Sequence, residues 1–281
     1  MQKTKNLAML CLLAIVAQII LAYGTQSQLI NENNVGDVSD RYDSFFTPAG
    51  FTFAIWGVIY TALLAFTIRH LIVAFTKPYD HPGNVDIRKA GGWFIVNNLL
   101  TIGWLIVWTS GNVAVAAALI LGQLVTLIAI HGQLHIHQPN ETAGSKVFTQ
   151  FPLSIYLGWI SIATIANLSI FLVSKNWDGA GIAAVNWARI MIGVAGLLSL
   201  FMIFARRNVF FGLVVVWALY GIISKRQERG NAEDQLVIQA AWIVLGIVAV
   251  CCLAQLIRNL AVAKRYRLTN SPFPQQQESL K

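Results

Sequence analysis

Eight apolar runs constrain this chain more than any other feature. They fall at about residues 7–23, 50–75, 93–109, 113–130, 151–173, 188–205, 209–223 and 236–257, the seventh being the shortest. Each approaches or reaches the length needed to cross about 30 Å of hydrocarbon as a helix. Inside lipid the backbone must satisfy its own polar groups, and a helix does so within one segment. Only 11% of the residues are charged, against about 25% in a soluble domain. The expected fold class is an all-α integral membrane protein with about eight transmembrane helices.

The net charge of +8 reads first as a topology signal. With the N-terminus on the cytoplasmic side, fourteen Lys and Arg fall inside, among them Lys3, Lys5, Arg69, Arg88, Arg206 and Arg258. Six fall outside: Arg41, Lys175, Arg189, Lys225, Arg226 and Arg229. By the positive-inside rule that asymmetry places both termini in the cytoplasm, in a multi-pass protein of the cell (inner) membrane. The bilayer is the expected partner, and no nucleic acid is needed to explain the basic balance. The first run, after Lys3 and Lys5, also has the shape of a leader ending near Ala22-Tyr23-Gly24. Cys11, Cys251 and Cys252 lie within spans and read as small apolar side chains, in neither a disulfide framework nor a zinc spacing.

Residues 25–47 make the longest outer loop, acidic through Glu32, Asp37, Asp40 and Asp43, and lead into Pro48-Ala49-Gly50. The loop is a candidate lid as much as an ordinary solvated connection. On the inner side His131, His135 and His137 have an H-x3-H-x-H spacing, and residues four apart can share a helix face as metal ligands do. The preferred reading is interfacial histidines where span and loop meet, with no metal expected. Asn140-Glu141-Thr142 has the N-glycosylation pattern but falls in an inner loop. The chain beyond residue 260 is basic, then polar with Pro272 and Pro274, a composition expected to be disordered.

Two spans carry more than lipid contact requires. Span two puts Phe53, Trp56 and Tyr60 three and four residues apart, on one helical face. Span five has Tyr156, Trp159, Ala163 and Asn167 in the same register. A buried Asn in a membrane helix costs free energy unless it finds a partner, so such groups turn towards another helix or a cavity. Span two runs inward and span five outward. At 1.5 Å per residue, Trp56 and Asn167 each lie about 9 Å below the outer ends of their spans, with Tyr60 level with Ala163. One antiparallel pair would then gather Trp56, Tyr60, Trp159 and Asn167 around a common space, with Ala163 giving room. The same groups would equally serve to glue two helices together. In span seven, Trp217-Ala218-Leu219-Tyr220 only faintly echoes this pattern and is expected to lie apart from the site.

At this point the residues carry a resemblance. The run Tyr156-x-x-Trp159-x-Ser161-x-Ala163-Thr164-x-x-Asn167 resembles the fifth helix of the TspO/MBR family, the tryptophan-rich sensory proteins. Pro48-Ala49-Gly50-Phe51-x-Phe53-x-x-Trp56-x-x-x-Tyr60 resembles that family's signature at the start of its second helix. In span three, Thr101 before Trp104 stands for the family's Asn before Trp, with Asn97 and Asn98 a turn earlier. The motifs cover roughly residues 1–174, the family's usual complete length. The resemblance therefore implies a TspO-like five-helix bundle over 1–174, a three-helix membrane extension over 175–260 and a cytoplasmic tail over 261–281.

The resemblance also implies a pocket for hydrophobic ligands such as tetrapyrroles or sterol-like molecules, with Trp56 and Trp159 matching the family's pocket tryptophans; together with the two stripes it makes Phe53, Trp56, Tyr60, Tyr156, Trp159, Ala163 and Asn167 the candidate lining. Flat indoles suit a macrocycle, because they offer stacking area and edge-to-face contacts. Binding and regulation are implied rather than turnover, although light-dependent porphyrin breakdown belongs to some members. No cofactor is required, and a second copy of the chain is a candidate partner. Two rival classes remain to be weighed. A secondary transporter could line a path with Gln18, Asn97, Asn98, Gln123, Gln239 and Gln255. Against it, no Asp or Glu falls in any predicted span, and intramembrane carboxylates are the usual proton or cation relays. A membrane enzyme would need paired aspartates, H-E-x-x-H or a Ser/His set within the bilayer, and the spans hold none.

Overall fold

Each predicted span is a helix in the computed structural model, which describes residues 1–42, 44–134, 136 and 142–269, with side chains to residue 262. The first helix, α1 (Gln2–Gln26), is followed by a short α2 (Val35–Asp40) and by a 3₁₀ turn (Gly50–Ala54) that runs straight into α3 (Ile55–Thr76). α4 (Pro82–Thr109) and α5 (Val113–Leu134) come next. A single turn, α6 (Ala143–Ser145), and a π-helical stretch (Lys146–Gln150) then lead into α7 (Phe151–Ser174). After a 3₁₀ turn (Gly179–Gly181), α8 (Ala184–Ala205), α9 (Val209–Arg229) and α10 (Ala232–Thr269) complete the described residues. Eight of these helices are long and apolar enough to cross a membrane.

The helices overrun the apolar runs that predicted them, because a helix satisfies its backbone equally well through charged turns at the interface. α4 begins at Pro82, where proline suits the first helical position and His81 Nδ1 accepts from Gly83 N at 3.1 Å. Asp86 therefore sits in a spanning helix but outside its predicted apolar run, as Glu228 does in α9 and Glu233 and Asp234 do in α10. Asp86 Oδ2 lies 4.0 Å from Nε2 of the buried His70. α10 likewise continues to Thr269, past the point where the disordered tail was expected. His135, His137, Asn140, Asp43 and residues 270–281 lie outside the described residues.

Helices α3, α1, α4, α5 and α7 contact one another in that order, and α7 closes the ring back onto α3. The expected adjacency of spans two and five is thus present. α1 is an integral member of this ring. α9 packs on the far side of α7 and forms a three-helix group with α8 and α10. Having neighbours on both sides, α7 is apolar nearly all round, as a centrally buried helix must be. Tyr156 and Trp159 face α3, while Gly158 faces α9, where a Cβ would come within 3.1 Å of Val214 Cβ. A single core cluster joins Leu63, Phe94 and Ile160 of the ring to Ile192, Phe211 and Leu219 of the last three spans. The outer faces carry exposed Leu13, Val125, Leu197, Ile243 and Val250, side chains that lipid would cover. Between such surfaces the association comes from close packing and interhelical hydrogen bonds rather than from water expulsion.

The eight spans among the described residues put the start of α1 and the end of α10 at one end of the bundle and the long 27–49 connection at the other, the loop end. That connection is folded rather than loose. Asn34 caps α2 by accepting from Gly36 N and Asp37 N, and Asp37 Oδ2 accepts from Asn34 N in return. Trp108 Nε1 donates to Val35 O at 3.1 Å, and Asn31 Nδ2 donates to Thr109 Oγ1 at 2.6 Å, tying it to the end of α4. From the other side Arg226 Nη2 donates to Ser44 O at 3.0 Å, and its Nη1 pairs with Asp234 at 3.2 Å. Lys225 pairs with Asp40.

Candidate functional site

The sequence pattern of span two is realised as an aromatic cluster against α7. Trp56 stacks on Tyr60 with ring centroids 5.2 Å apart and meets Tyr156 at 6.0 Å and Trp159 at 6.4 Å, edge to face. Phe53 stands edge-on to Trp159 at 6.0 Å. Tyr156 and Trp159 are buried, while Phe53, Trp56 and Tyr60 are half-buried. Five of the seven predicted residues therefore share one cluster.

Asn167 and Ala163 do not join it. Asn167 Oδ1 accepts from Trp104 Nε1 at 3.0 Å, and its Nδ2 donates to Ala163 O at 3.1 Å. Along α7, Asn167 is about 12 Å nearer the loop end than Trp159. The expected depth match between Trp56 and Asn167 is thus replaced by one between Trp56 and Trp159. The cause lies in the segment before α3: Ser44 and Phe46–Ala49 are buried, so the chain descends into the bundle before it begins to wind. Hydropathy marks where apolar residues start, not how deep they start.

A line of polar groups crosses the ring beside the aromatic cluster. Asn97 Nδ2 donates to Thr126 Oγ1 at 2.8 Å and to Gln123 O at 3.0 Å. Thr101 Oγ1 lies 3.0 Å from Gln123 Oε1 and 2.8 Å from the Tyr156 hydroxyl. On the far side the Gln18 amide of α1 lies beside the hydroxyls of Tyr60 and Tyr156, yet neither of its polar atoms makes a hydrogen bond of ordinary geometry. Asn97 Oδ1, Asn98 Oδ1, Gln123 Nε2 and Trp159 Nε1 are also buried and unpartnered. Each such group costs about 1–3 kcal/mol when left so. By sequence these amides read as a rival transport path, with Asn97 and Asn98 also lying a turn before the span-three Thr101 and Trp104. Polar side chains inside apolar spans were the signal, and only the fold brings them to the aromatic stripe.

The faint echo in span seven does not lie apart from the site. Trp217 Nε1 donates to Thr52 O at 3.0 Å, and Phe51 stands edge-on to Trp217 at 5.5 Å and to Tyr220 at 5.9 Å. Ala49 N donates to Gly221 O at 3.0 Å. The 3₁₀ turn that aims Phe53 and Trp56 is therefore held by α9.

No curated protein and no solved structure matches this chain. A family model described as TSPO-like protein does, over residues 8–254. The match runs from α1 into α10, so the likeness reaches beyond residues 1–174, where the two sequence motifs lie, and takes in the helices that brace the aromatic turn. With most of its length matched, the chain is an integral membrane protein of the TSPO-like family.

Proposed function

We propose that the protein is a membrane-embedded binding protein, with a sensing or regulatory role, for a flat hydrophobic ligand of the tetrapyrrole or sterol-like class. It works by binding rather than turnover, with both termini in the cytoplasm. The observation that carries this reading is the coincidence of stacking surface with unsatisfied polarity. Trp56, Tyr60, Tyr156 and Trp159 offer ring faces and edges next to buried unpartnered atoms on Asn97, Gln123 and Trp159, with the Gln18 amide beside two of their hydroxyls. A ligand with an aromatic or fused-ring body and a polar edge offsets both costs at once. Membership of the TSPO-like family supports the same class of role.

The test is quenching of tryptophan fluorescence by a panel of porphyrins and sterols, with wild type compared to W56F/W159F. Loss of one stacking indole removes on the order of 1 kcal/mol beyond area burial, about fivefold in affinity. The double variant should therefore bind more weakly by well over that factor, while remaining folded. Trp242→Phe, on the lipid-facing side of α10, is the control. Unchanged binding by the double variant, or none by the wild type, would reduce the cluster to helix packing. Transport is the second reading, favoured by the His70–Asp86 approach at the end of the bundle where α1 starts. Solute uptake into proteoliposomes separates the two.

A further inference from the structure

A cavity of about 490 Å³ opens at the loop end, and none of Trp56, Tyr60, Tyr156 or Trp159 lines it. Its walls are the last turns of α7, the first turns of α8, the 175–183 connection and Ser44–Phe46. The volume is within the range of small-molecule sites, and the lining is apolar with few polar groups, as such sites usually are. Its polar lining residues are Ser44, Ser169 and one charged residue, Asp178, which shares the wall with two indoles. Trp177 and Trp187 have ring centroids 5.3 Å apart and planes tilted by 49°. Trp187 Nε1 donates to Gly179 O at 2.7 Å, which fixes the ring and spends its N–H, leaving the π face as what it offers.

The carboxylate is half committed. Asp178 Oδ1 accepts from Ala180 N at 3.0 Å and caps the 3₁₀ turn. Asp178 is exposed, so its other oxygen, which has no hydrogen-bond partner, Lys or Arg among the described residues, is open to an incoming cation. Arg189, the nearby cation on α8, is turned to Asn186 Oδ1 at 3.2 Å. The connection also holds two non-glycine residues in the left-handed region, Asn176 (φ 51) and Ala180 (φ 52).

The geometry points to a second ligand site, for an amphiphilic cation whose alkyl or aryl body fills the cavity and whose ammonium head meets Asp178 at its mouth, beside the packed Trp177–Trp187 pair. Indole faces attract an ammonium through the ring quadrupole, and the unpaired carboxylate adds charge of the right sign. An anionic amphiphile would meet that carboxylate head-on. This site is independent of the aromatic cluster between α3 and α7.

The experiment uses the full chain in nanodiscs of zwitterionic lipid, with empty discs subtracted. The probes are 2-(naphthyl)ethyl-trimethylammonium and its neutral tert-butyl isostere, which share shape and differ in charge. Wild type should prefer the cation by about tenfold, which combines a cation–π contact with one charge pair. Asp178→Asn keeps an acceptor for Ala180 N–H and should erase the preference while leaving the isostere's binding in place. Asp178→Glu should retain the preference, and Trp187→Phe should weaken the cation by about two- to fivefold. W56F/W159F should change neither probe. Equal binding of both probes to wild type, a preference that survives Asp178→Asn, or loss of the cation in W56F/W159F alone would each overturn the proposal.

Discussion

Gly221 is where the last three spans grip the candidate site, and adding one methyl group there tests that grip. A Cβ at this position would lie 2.0 Å from Thr52 Cγ2 and 3.2 Å from Pro48 Cβ, far inside contact distance. Thr52 is buried and cannot swing away. Gly221→Ala must therefore push α9 from the 3₁₀ turn, at an overpacking cost of about 1–3 kcal/mol. The displacement also strains two hydrogen bonds across the same seam, Ala49 N to Gly221 O and Trp217 Nε1 to Thr52 O, both 3.0 Å, each worth about 1 kcal/mol. Alanine's better helix propensity returns up to about 1 kcal/mol. A net destabilisation of about 2–3 kcal/mol is expected, read by titrating the purified protein with denaturing detergent and following tryptophan emission. Gly193→Ala is the reference, since nothing lies within 4 Å of a Cβ there. Thr52→Ser removes the offending methyl group but keeps a hydroxyl for Ala49 O, so G221A/T52S should recover most of the loss. If Gly221→Ala behaves like Gly193→Ala, or the serine fails to rescue it, the seam is not what positions Phe53 and Trp56.

Three further outcomes follow from the same contacts. Arg226 and Asp234 are each 1% exposed and paired, so Arg226→Met should cost about 3–5 kcal/mol and R226M/D234L much less, because the single change strands a buried charge; unfolding in detergent measures both. Asn167→Leu leaves Trp104 Nε1 without its acceptor and should cost about 1–2 kcal/mol, with Trp104→Phe restoring part of it in the double variant. Single cysteines near Gly83 should be labelled by impermeant reagents from one side of the membrane, and those at Asn34 and Gly230 from the other; external labelling of the C-terminal tail would reverse the assigned orientation.

Helix type, number and order were legible from the sequence alone, because hydrocarbon leaves a chain few ways to satisfy its peptide groups and the penalty shows as long apolar runs. The face shared by Phe53, Trp56 and Tyr60, and by Tyr156 and Trp159, was legible too, since a helix converts three- and four-residue spacing into adjacency. What lies across from each face was not. Depth depends on how far the chain travels before a helix begins, and the segment with Ser44 and Phe46–Ala49 buried lowered α3 until Trp56 met Trp159 instead of Asn167. Partners from distant spans, Trp104 for Asn167 and Trp217 for Thr52, follow from lateral packing between apolar surfaces that look alike to a hydropathy reading. Gly221 could not have been singled out among twenty-one glycines, because its role is set by a methyl group of Thr52 that only the folded chain brings against it.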